Sequence, residues 1–555
     1  MMNFNDYFAG DKAKATKQIS EELFELDNNV EKFINSEKMP ILDGEIRLYN
    51  DFMKDKHLPC DSKDPKEVYK DFSKLFQRSV LWENPGTMIN ITPPANIPSI
   101  VASFYTALYN PNFAQDESSG YLMTTELLVS KYLAEMADWD VKKSRGIFTF
   151  GGKGTNLYAV KMGIKKAIPN VIDNGLSDNK IVVFSNEKGH PCHREVCDWL
   201  GLGKNACIRL STNKDGQLNV DELEKQMREH LDKNDKVACI ILNGGTTNEI
   251  IIDPIKEVVD LRNRLVKEYN LSYVPHIHVD SVIGWAWLFF KYYDFEKNEL
   301  GMNDRELDKI CSMQKKISEV KYADSFGADF HKTGFCPYIS SIIMTKDFND
   351  IMGLGNKTDK GVENMKFGEY SPFEYTLELT RSSIGPVSAY VAFEALGVKG
   401  FQKALYNVFS NSEYIRSYLD GISEFEVINL DTEGIATLFI ICPPNSEKKY
   451  ADFVSGDEKD LSDLIDYNHN FYLYCLKKLE EKKIHFKITF SKSYKPYGAK
   501  NPTGALKIYP TSPIASKADI KECLDEMIAL KKEYDGAHIK LTEDREVPID
   551  YVYRD

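Results

Sequence analysis

The spacing of apolar residues divides the chain into three parts, and the first part is predicted to be helical. Residues 1–105 place apolar positions at helical spacing between prolines, and this part ends in the proline-rich stretch NPGTMINITPPANIPS at 84–99. Because proline fixes φ and lacks a backbone N–H, that stretch should run as extended chain rather than as a helix. We therefore expect a helical segment that wraps around a larger body.

From about residue 120, short apolar runs alternate with amphipathic segments. This alternation is typical of a mostly parallel sheet with helices on both faces, and it predicts a large α/β domain at 106–395. The clearest strands are at 181–185, 237–242, 274–280 and 339–345, and the clearest helices between them are at 155–167 and 253–269.

After about residue 395 the pattern becomes helix, strand and helix, with ATLFIICPP and GALKIYP as strands. This pattern predicts a small α+β domain at 396–555. A chain of 555 residues with 42% hydrophobic residues has enough apolar side chains for more than one core.

Charge and cysteine content narrow the class of protein. With 70 basic and 84 acidic residues the net charge is -14, which argues against a nucleic-acid partner. The N-terminal MMNFNDYFAGDKAKATKQ has no apolar stretch, and WAWLFF at 285–290 is too short to span a bilayer. The ten cysteines form no CxxC pair, as expected for reduced thiols. We expect a cytoplasmic protein without a membrane partner.

One cluster has metal-binding residue types: His190, Cys192 and His193 in GHPCHREVCDWLGLG. Its spacing is tighter than that of structural zinc sites, and no second ligand pair follows at a suitable distance. We therefore predict no metal site.

Ligands of open α/β sheets bind beyond the carboxyl ends of the strands. The turn Gly151–Gly154 lies between an apolar run and a helix, so its amides could bind a phosphate, although such turns are also glycine-rich for steric reasons. Asp280 ends the strand HIHVD, where a buried carboxylate could pair with a protonated ring nitrogen or simply cap a turn. Thr246 and Thr247 could contact a ring substituent or form an ordinary turn.

Lys332 lies in DSFGADFHKTGFCPY at 324–338, close to apolar and aromatic residues. It could be a solvated surface lysine, or a desolvated amine that is partly neutral and nucleophilic. Glycine turn, imidazole, acid and lysine follow in the order that a pyridoxal phosphate site requires, which favours the nucleophilic amine.

Several motifs in order resemble those of the group II pyridoxal phosphate-dependent amino-acid decarboxylases. The resemblance covers roughly residues 80–530 and implies fold type I of the pyridoxal phosphate enzymes, with a mostly parallel sheet of seven strands. It also implies a homodimer whose active site lies near the interface. The motifs are FGGKGTNLYAV, HPCHREVCDWLG, GTTNEIIIDPI, HVDS, ADSFGADFHK and LELTRSSIGPVSAYVAFEALGVKGFQ.

The resemblance also implies roles for individual residues. Lys332 would bind the cofactor aldehyde covalently, Asp280 would keep the ring nitrogen protonated, and His190 would lie over the ring face. Thr247 would contact the ring or the substrate carboxylate. The residues expected to hold the phosphate are Gly152, Lys153 and His331.

The proton that replaces the carboxylate usually comes from a loop tyrosine in this family. The segment 356–381 contains Tyr370 and Tyr375; we favour Tyr370, and the alternative is that both only pack. Lys153, Phe330 and Thr333 depart from the residues common in relatives, and these departures affect the fine geometry more than the activity.

Two features bear on the substrate. HKTGFCPY and ALYNPN resemble bacterial tyrosine decarboxylases, so an aromatic amino acid is the first expectation. Lys507 and Asn90 instead match positions that bind an acidic side chain, which suggests glutamate, aspartate or cysteine sulfinate. A pyridoxal phosphate lyase, an aldehyde synthase and a catalytically silent cofactor-binding paralogue are further alternatives.

Overall fold

A computed structural model of the chain describes residue 8 and residues 10–537. The first and last predicted domains therefore extend into residues 1–7, 9 and 538–555, which lie outside the described part. The strands are β1 Arg145–Thr149, β2 Ile181–Asn186, β3 Cys207–Leu210, β4 Lys236–Asn243, β5 His276–Asp280, β6 Ser325–Asp329, β7 Ser341–Thr345, β8 Phe425–Val427, β9 Thr437–Ile441, β10 Thr489–Ser491 and β11 Ala505–Ile508.

Helices make up most of the remaining regular structure, and none of those described is long and apolar enough to cross a membrane. The α-helices are α1 Lys12–Val30, α2 Tyr49–Met53, α3 Pro65–Ser73, α4 Ile97–Tyr109, α5 Asp116–Ser119, α6 Thr124–Met136, α7 Gly152–Ala167, α8 Val171–Asn174, α9 Cys192–Trp199, α10 Val220–Asp232, α11 Ile255–Glu268, α12 Asp304–Ile317, α13 Asn349–Met352, α14 Ile384–Asp420, α15 Tyr450–Ser455, α16 Glu458–Glu480 and α17 Lys517–Ala537.

The large sheet has seven strands in the order β1-β7-β6-β5-β4-β2-β3. The pairs β3-β2, β2-β4, β4-β5 and β5-β6 are parallel, and β7 is antiparallel to both of its neighbours. Asn243 and Asp280 are register partners at the carboxyl ends of β4 and β5. The prediction of a mostly parallel seven-stranded sheet is confirmed.

Alternate residues of each central strand face different cores, so both faces of the sheet are covered. Along β2, Val182 and Phe184 belong to one apolar cluster with α10, α11 and α12, whereas Val183 belongs to another with α7 and α9. The run WAWLFF lies in the 3₁₀ helix Gly284–Tyr292 and is buried in the first cluster. Its apolar side chains are therefore part of the hydrophobic core.

A second sheet of four antiparallel strands, β10-β11-β9-β8, carries its own core. That core also includes Met39, Ile41 and Met88, so the N-terminal segment packs against the C-terminal part. The connection between the two sheets is α14, which bends at Gly397, where φ is 57°. The predicted boundary at 395/396 lies just before this bend.

Candidate active site

The polar residues singled out in the sequence gather at the carboxyl edge of the large sheet. Asp280 is the last residue of β5, and Lys332 follows β6. The glycine turn joins β1 to α7, and His190 lies between β2 and α9. Because β1, β2, β5 and β6 end at the same edge of one sheet, residues far apart in sequence converge there.

Asp280 is held by two side chains from helices that cover the sheet. Asn156 on α7 donates from Nδ2 to Asp280 Oδ2 over 2.9 Å, and His193 on α9 lies 2.9 Å from the same oxygen through Nε2. A carboxylate only accepts, so Nε2 of His193 carries the hydrogen and Nδ1 accepts from Ser185 Oγ at 3.0 Å. The other oxygen of Asp280, Oδ1, is buried and has no hydrogen-bond partner among the described residues.

The hydrogen bonds from Asn156 and His193 determine the protonation state of Asp280. Burial alone would raise the pKa of Asp280, but the hydrogen bonds from His193 and Asn156 lower it well below its usual value. Burial lowers the pKa of His193, so the ring is neutral. Asp280 is therefore an anion whose Oδ1 has no hydrogen-bond partner among the described residues. A protonated ring nitrogen could donate a hydrogen bond to that oxygen.

Lys332 is not the partly neutral amine that the sequence suggested. Its Nζ lies 3.0 Å from Oδ2 of Asp329, the last residue of β6. Burial lowers the pKa of Lys332, but Asp329, with Asp280 and Tyr338, raises it to about 12. Without cofactor the lysine is an ammonium ion, because a buried carboxylate next to it stabilises the charged form.

The glycine turn is crowded at Gly152 but open at Gly151. Gly151 has φ of 120°, and a Cβ added to Gly152 would lie 3.1 Å from Asp329 Oδ2. The first amides of α7 have no helical acceptor and sit at the positive end of the helix dipole, which suits a phosphate. The side chain of Lys153 forms an ion pair with Glu195 on α9.

His331 contacts Asp329, the carboxylate that adjoins this turn. Its Nδ1 accepts from the Ser340 amide over 3.2 Å, and its Nε2 lies 3.4 Å from Asp329 Oδ2. The exposed Tyr338 packs on the imidazole with ring centroids 4.1 Å apart. Burial lowers the pKa of His331.

Five residues singled out in the sequence line one cavity of about 650 Å³ between the two sheets: Asn90, His190, Thr246, Thr247 and Lys507. His190 accepts from the Cys192 amide through Nδ1 over 3.1 Å. Burial lowers the pKa of His190 to about 4, so the ring is neutral at physiological pH. A neutral imidazole is the form expected over an electron-poor ring.

Lys507 reaches the cavity from β11, and only 7% of it is exposed. Its Nζ donates to Asn248 Oδ1 over 3.3 Å and lies 5.4 Å from the ring centroid of Tyr509. Thr247 immediately precedes Asn248. Lys507, a predicted substrate residue, therefore lies next to the segment that carries Thr247, the predicted ring contact.

Tyr370 is not among the residues that line this cavity. It is 5% exposed, and its hydroxyl donates to Glu126 Oε1 over 3.2 Å, beside the Arg381 guanidinium. Tyr375 packs edge-on against Phe348, with ring centroids 5.8 Å apart. The role of proton donor stays a prediction for Tyr370, which would have to leave Glu126 to act.

Sequence reasoning missed four groups that shape the site: Asn156, His193, Asp329 and Tyr338. In the sequence His193 was considered as a possible metal ligand, but in the structure it bonds the predicted acid, Asp280. Cys192, His193 and Asp280 offer ligand atoms within 4.8 Å of one another, yet His193 and Asp280 already bond each other there.

The residues present fit pyridoxal phosphate. The open, buried oxygen of Asp280 matches a protonated pyridine nitrogen, the turn at Gly151 matches a phosphate, and Lys332 supplies an amine. A cofactor is therefore consistent with the donor set at this edge.

Comparison with known proteins agrees with this assignment. The pyridoxal-dependent decarboxylase conserved domain matches residues 49–304. An aromatic-L-amino-acid decarboxylase of Bacillus atrophaeus is 23% identical over 435 residues, covering 77% of this chain and 82% of that protein. The acidic amino acid decarboxylase GADL1 of Xenopus tropicalis is 22% identical over 391 residues, covering 69% of this chain and 70% of that protein. A crystal structure of mouse CSAD superposes with a TM-score of 0.74 at 16% identity, covering 93% of this chain and 99% of that one.

Fold and site define a fold type I enzyme that uses pyridoxal 5'-phosphate. The matched domain and the relatives identify the chain as a pyridoxal phosphate-dependent amino-acid decarboxylase.

Proposed function

We propose that the substrate is an amino acid with an acidic side chain, such as glutamate, aspartate or cysteine sulfinate. The observation that carries this proposal is the shared cavity: Lys507 from β11 and Asn90 from the N-terminal segment line the same space as His190. A buried ammonium and a side-chain amide together suit a carboxylate or sulfinate.

The charge of the cavity wall supports the same class. Seven basic side chains and three acidic ones line it, and two of the acidic ones are already paired, Glu249 with Lys188 and Glu195 with Lys153. A net positive, partly enclosed wall attracts an anionic side chain. The basic residues are Lys188, Arg194, Lys204, Arg209, Lys492, Lys495 and Lys507.

An aromatic substrate is the second candidate, and one observation favours it. Phe490, Tyr494 and Tyr497 line the same cavity, and flat apolar side chains could pack against a substrate ring. The relatives named above include both an aromatic and an acidic amino acid decarboxylase. The acidic class is preferred because a buried cation gains more from a charged partner than from an aromatic ring.

In this proposal each residue has a task in removing the α-carboxylate as CO₂. When bound, pyridoxal phosphate supplies a ring that accepts the electron pair left at Cα. Asp280 keeps a proton on the ring nitrogen, since its open oxygen is an anion. Neutral His190 covers the ring face and helps exclude water, and Lys332 supplies the amine that holds the cofactor.

The remaining residues would bind phosphate and substrate and return a proton. The amides of Gly152 and Lys153, with His331, would hold the phosphate, and Thr247 would orient the substrate. Tyr370 would donate the proton that replaces CO₂ at Cα after the segment around it leaves Glu126.

We also propose that a second copy of the chain covers α4. Apolar side chains at helical spacing point outward there, and an exposed apolar stripe of this kind marks an interaction surface. Their exposed fractions are 75% for Ile97, 59% for Val101, 57% for Phe104 and 55% for Tyr105.

Substrate choice can be tested directly on the holoenzyme. Incubation with single amino acids, followed by detection of CO₂ and amine, should show turnover of an acidic amino acid. Lys507→Gln should lower kcat/KM for that substrate at least about hundredfold, whereas Lys507→Arg should keep more of it. Lys495→Gln, at an exposed position on the same cavity, is the matched control and should have little effect.

Other results would point elsewhere. Turnover of tyrosine that Lys507→Gln leaves unchanged would establish the aromatic candidate instead. Aldehyde in place of amine would identify an aldehyde synthase, and absence of any product from a protein that binds the cofactor would identify a silent paralogue.

A further inference from the structure

Asp329 lies between the glycine turn and Lys332. It is 1% exposed, and its Oδ1 accepts from Ser341 Oγ over 2.5 Å. Its Oδ2 lies 3.0 Å from Lys332 Nζ, on the side where a Cβ of Gly152 would come within 3.1 Å. One carboxylate therefore adjoins both the amine that would capture the cofactor and the turn that would bind its phosphate.

The charge of Asp329 opposes both events. An amine that keeps its proton has no lone pair with which to attack an aldehyde. A phosphate at the glycine turn brings a second anion close to Asp329, and like charges at short range repel. The pair must therefore change its protonation or its contact before the cofactor is bound.

We infer that Asp329 is a positioning residue that holds Lys332 as an ammonium ion until the cofactor arrives, and that it thereby sets the pH dependence of cofactor capture. This inference rests on the role proposed for Lys332. In capture, Lys332 gives up a proton, its lone pair forms a bond to the aldehyde carbon, and the aldehyde oxygen leaves as water. The released proton passes to solvent or to the Asp329 carboxylate.

Several other groups act on the charge of Lys332, and the test must separate Asp329 from them. Asp280 and Tyr338 also favour the ammonium form. The charge of Lys332 also acts on His190 and Cys192. His331 Nε2 lies 3.4 Å from Asp329 Oδ2, the same oxygen that pairs with Lys332. Of the two carboxylates, Asp280 and Asp329, only Asp329 forms an ion pair with Lys332 Nζ. Its removal should therefore have the larger effect on the charge of Lys332.

The experiment mixes cofactor-free protein with pyridoxal phosphate, and separately with pyridoxal, which lacks the phosphate. The rate at which visible absorbance of the protein-bound cofactor appears is followed from about pH 6 to about pH 10. Asp329→Asn should capture both compounds at least about tenfold faster near neutral pH and reach its maximum rate at lower pH, since one pKa unit changes the neutral fraction tenfold. Ser341→Ala, which keeps the carboxylate, should retain the wild-type profile.

A wild-type pH profile of Asp329→Asn with pyridoxal would overturn the inference. Acceleration with pyridoxal phosphate alone would also overturn it, because the effect would then act on the phosphate. Asp329→Ser replaces Asp329→Asn if the latter does not fold. Lys332→Ala tests the underlying role separately: it should form no such absorbance, and if it did, the proposed amine would be wrong whatever Asp329 does.

Discussion

Nε2 of His193 lies 2.9 Å from Oδ2 of Asp280, while Oδ1 of the same carboxylate is buried without a hydrogen-bond partner in the described part of the chain. His193 lies on α9, and His190 stands just before the same helix. His190, which is expected over the cofactor ring, and His193, which holds the carboxylate of Asp280, therefore lie in one short segment. A shift of α9 would disturb both.

Replacing His193 should weaken cofactor binding through Asp280. His193→Ala leaves Asn156 as the remaining donor to a buried carboxylate, so the pKa of Asp280 should rise and its anionic form should be less favoured. We expect at least about tenfold weaker binding of pyridoxal phosphate and a loss of about 1–3 kcal/mol in the free energy of unfolding. Absorbance titration and urea unfolding measure the two effects.

Ser185→Ala is the control for this change. It removes the hydroxyl that His193 Nδ1 accepts from, but leaves the donor to Asp280 in place. Cofactor affinity should therefore stay near that of the wild type. Equal losses in both variants would mean that the orientation of His193, rather than its bond to Asp280, matters.

The position of the site could be predicted from the sequence because it follows from strand order. Asp280 and Lys332 each come directly after an apolar run, and parallel strands bring their carboxyl ends to one edge. The glycine turn at Gly151 was visible for the same reason. These predictions needed only local pattern and the geometry of an α/β sheet.

The hydrogen-bond partners could not be predicted in this way. Asn156 and His193 reach Asp280 from helices on the covering layer, and which helical residue points at a strand end depends on packing. The protonation state of Lys332 is a second example. Asp329 raises the pKa of Lys332 and keeps it an ammonium ion, although the motif that contains both residues predicted a nucleophilic amine. The residue types were enough to predict the kind of site, but the protonation states of its residues depend on contacts that only the structure shows.

Tyr370→Phe separates a catalytic role from a packing role. If Tyr370 returns the proton to Cα, kcat should fall by about a hundredfold or more, while the bound cofactor keeps its absorbance. The lost bond to Glu126 should cost only about 1 kcal/mol of unfolding free energy. Tyr375→Phe is the matched control and should keep kcat; an unchanged kcat in Tyr370→Phe would place the donor elsewhere.

Acid should destabilise the fold through buried histidines on β5. Burial lowers the pKa of His278 from 6.5 to about 4, and burial also lowers that of His276. The folded state thus binds fewer protons than the unfolded state between about pH 6.5 and about pH 4, so stability present above this window is lost as the pH falls through it. His278 alone should account for about 2 kcal/mol by pH 5.

Urea unfolding at about pH 7.5 and about pH 5 measures this loss. His278→Gln, which cannot take up the proton, should show a difference between the two pH values that is smaller by about 2 kcal/mol. Ser325 Oγ lies 2.8 Å from Nδ1 of His278, so the glutamine amide has a polar partner nearby. An unchanged difference would assign the acid lability to other groups.

The exposed side of α4 should hold two copies of the chain together. Val101 and Phe104 are 59% and 57% exposed on a helix whose opposite side includes the buried Ser99 and Thr106. A charge placed in a buried apolar contact costs far more than the same charge in water, so Val101→Glu with Phe104→Glu should convert a dimer to monomers. Sedimentation velocity measures the mass, and Val141→Glu, at another exposed apolar position, is the control that should remain dimeric. A wild-type protein that sediments as a monomer, or a double variant that stays dimeric, would show that α4 is not the contact surface.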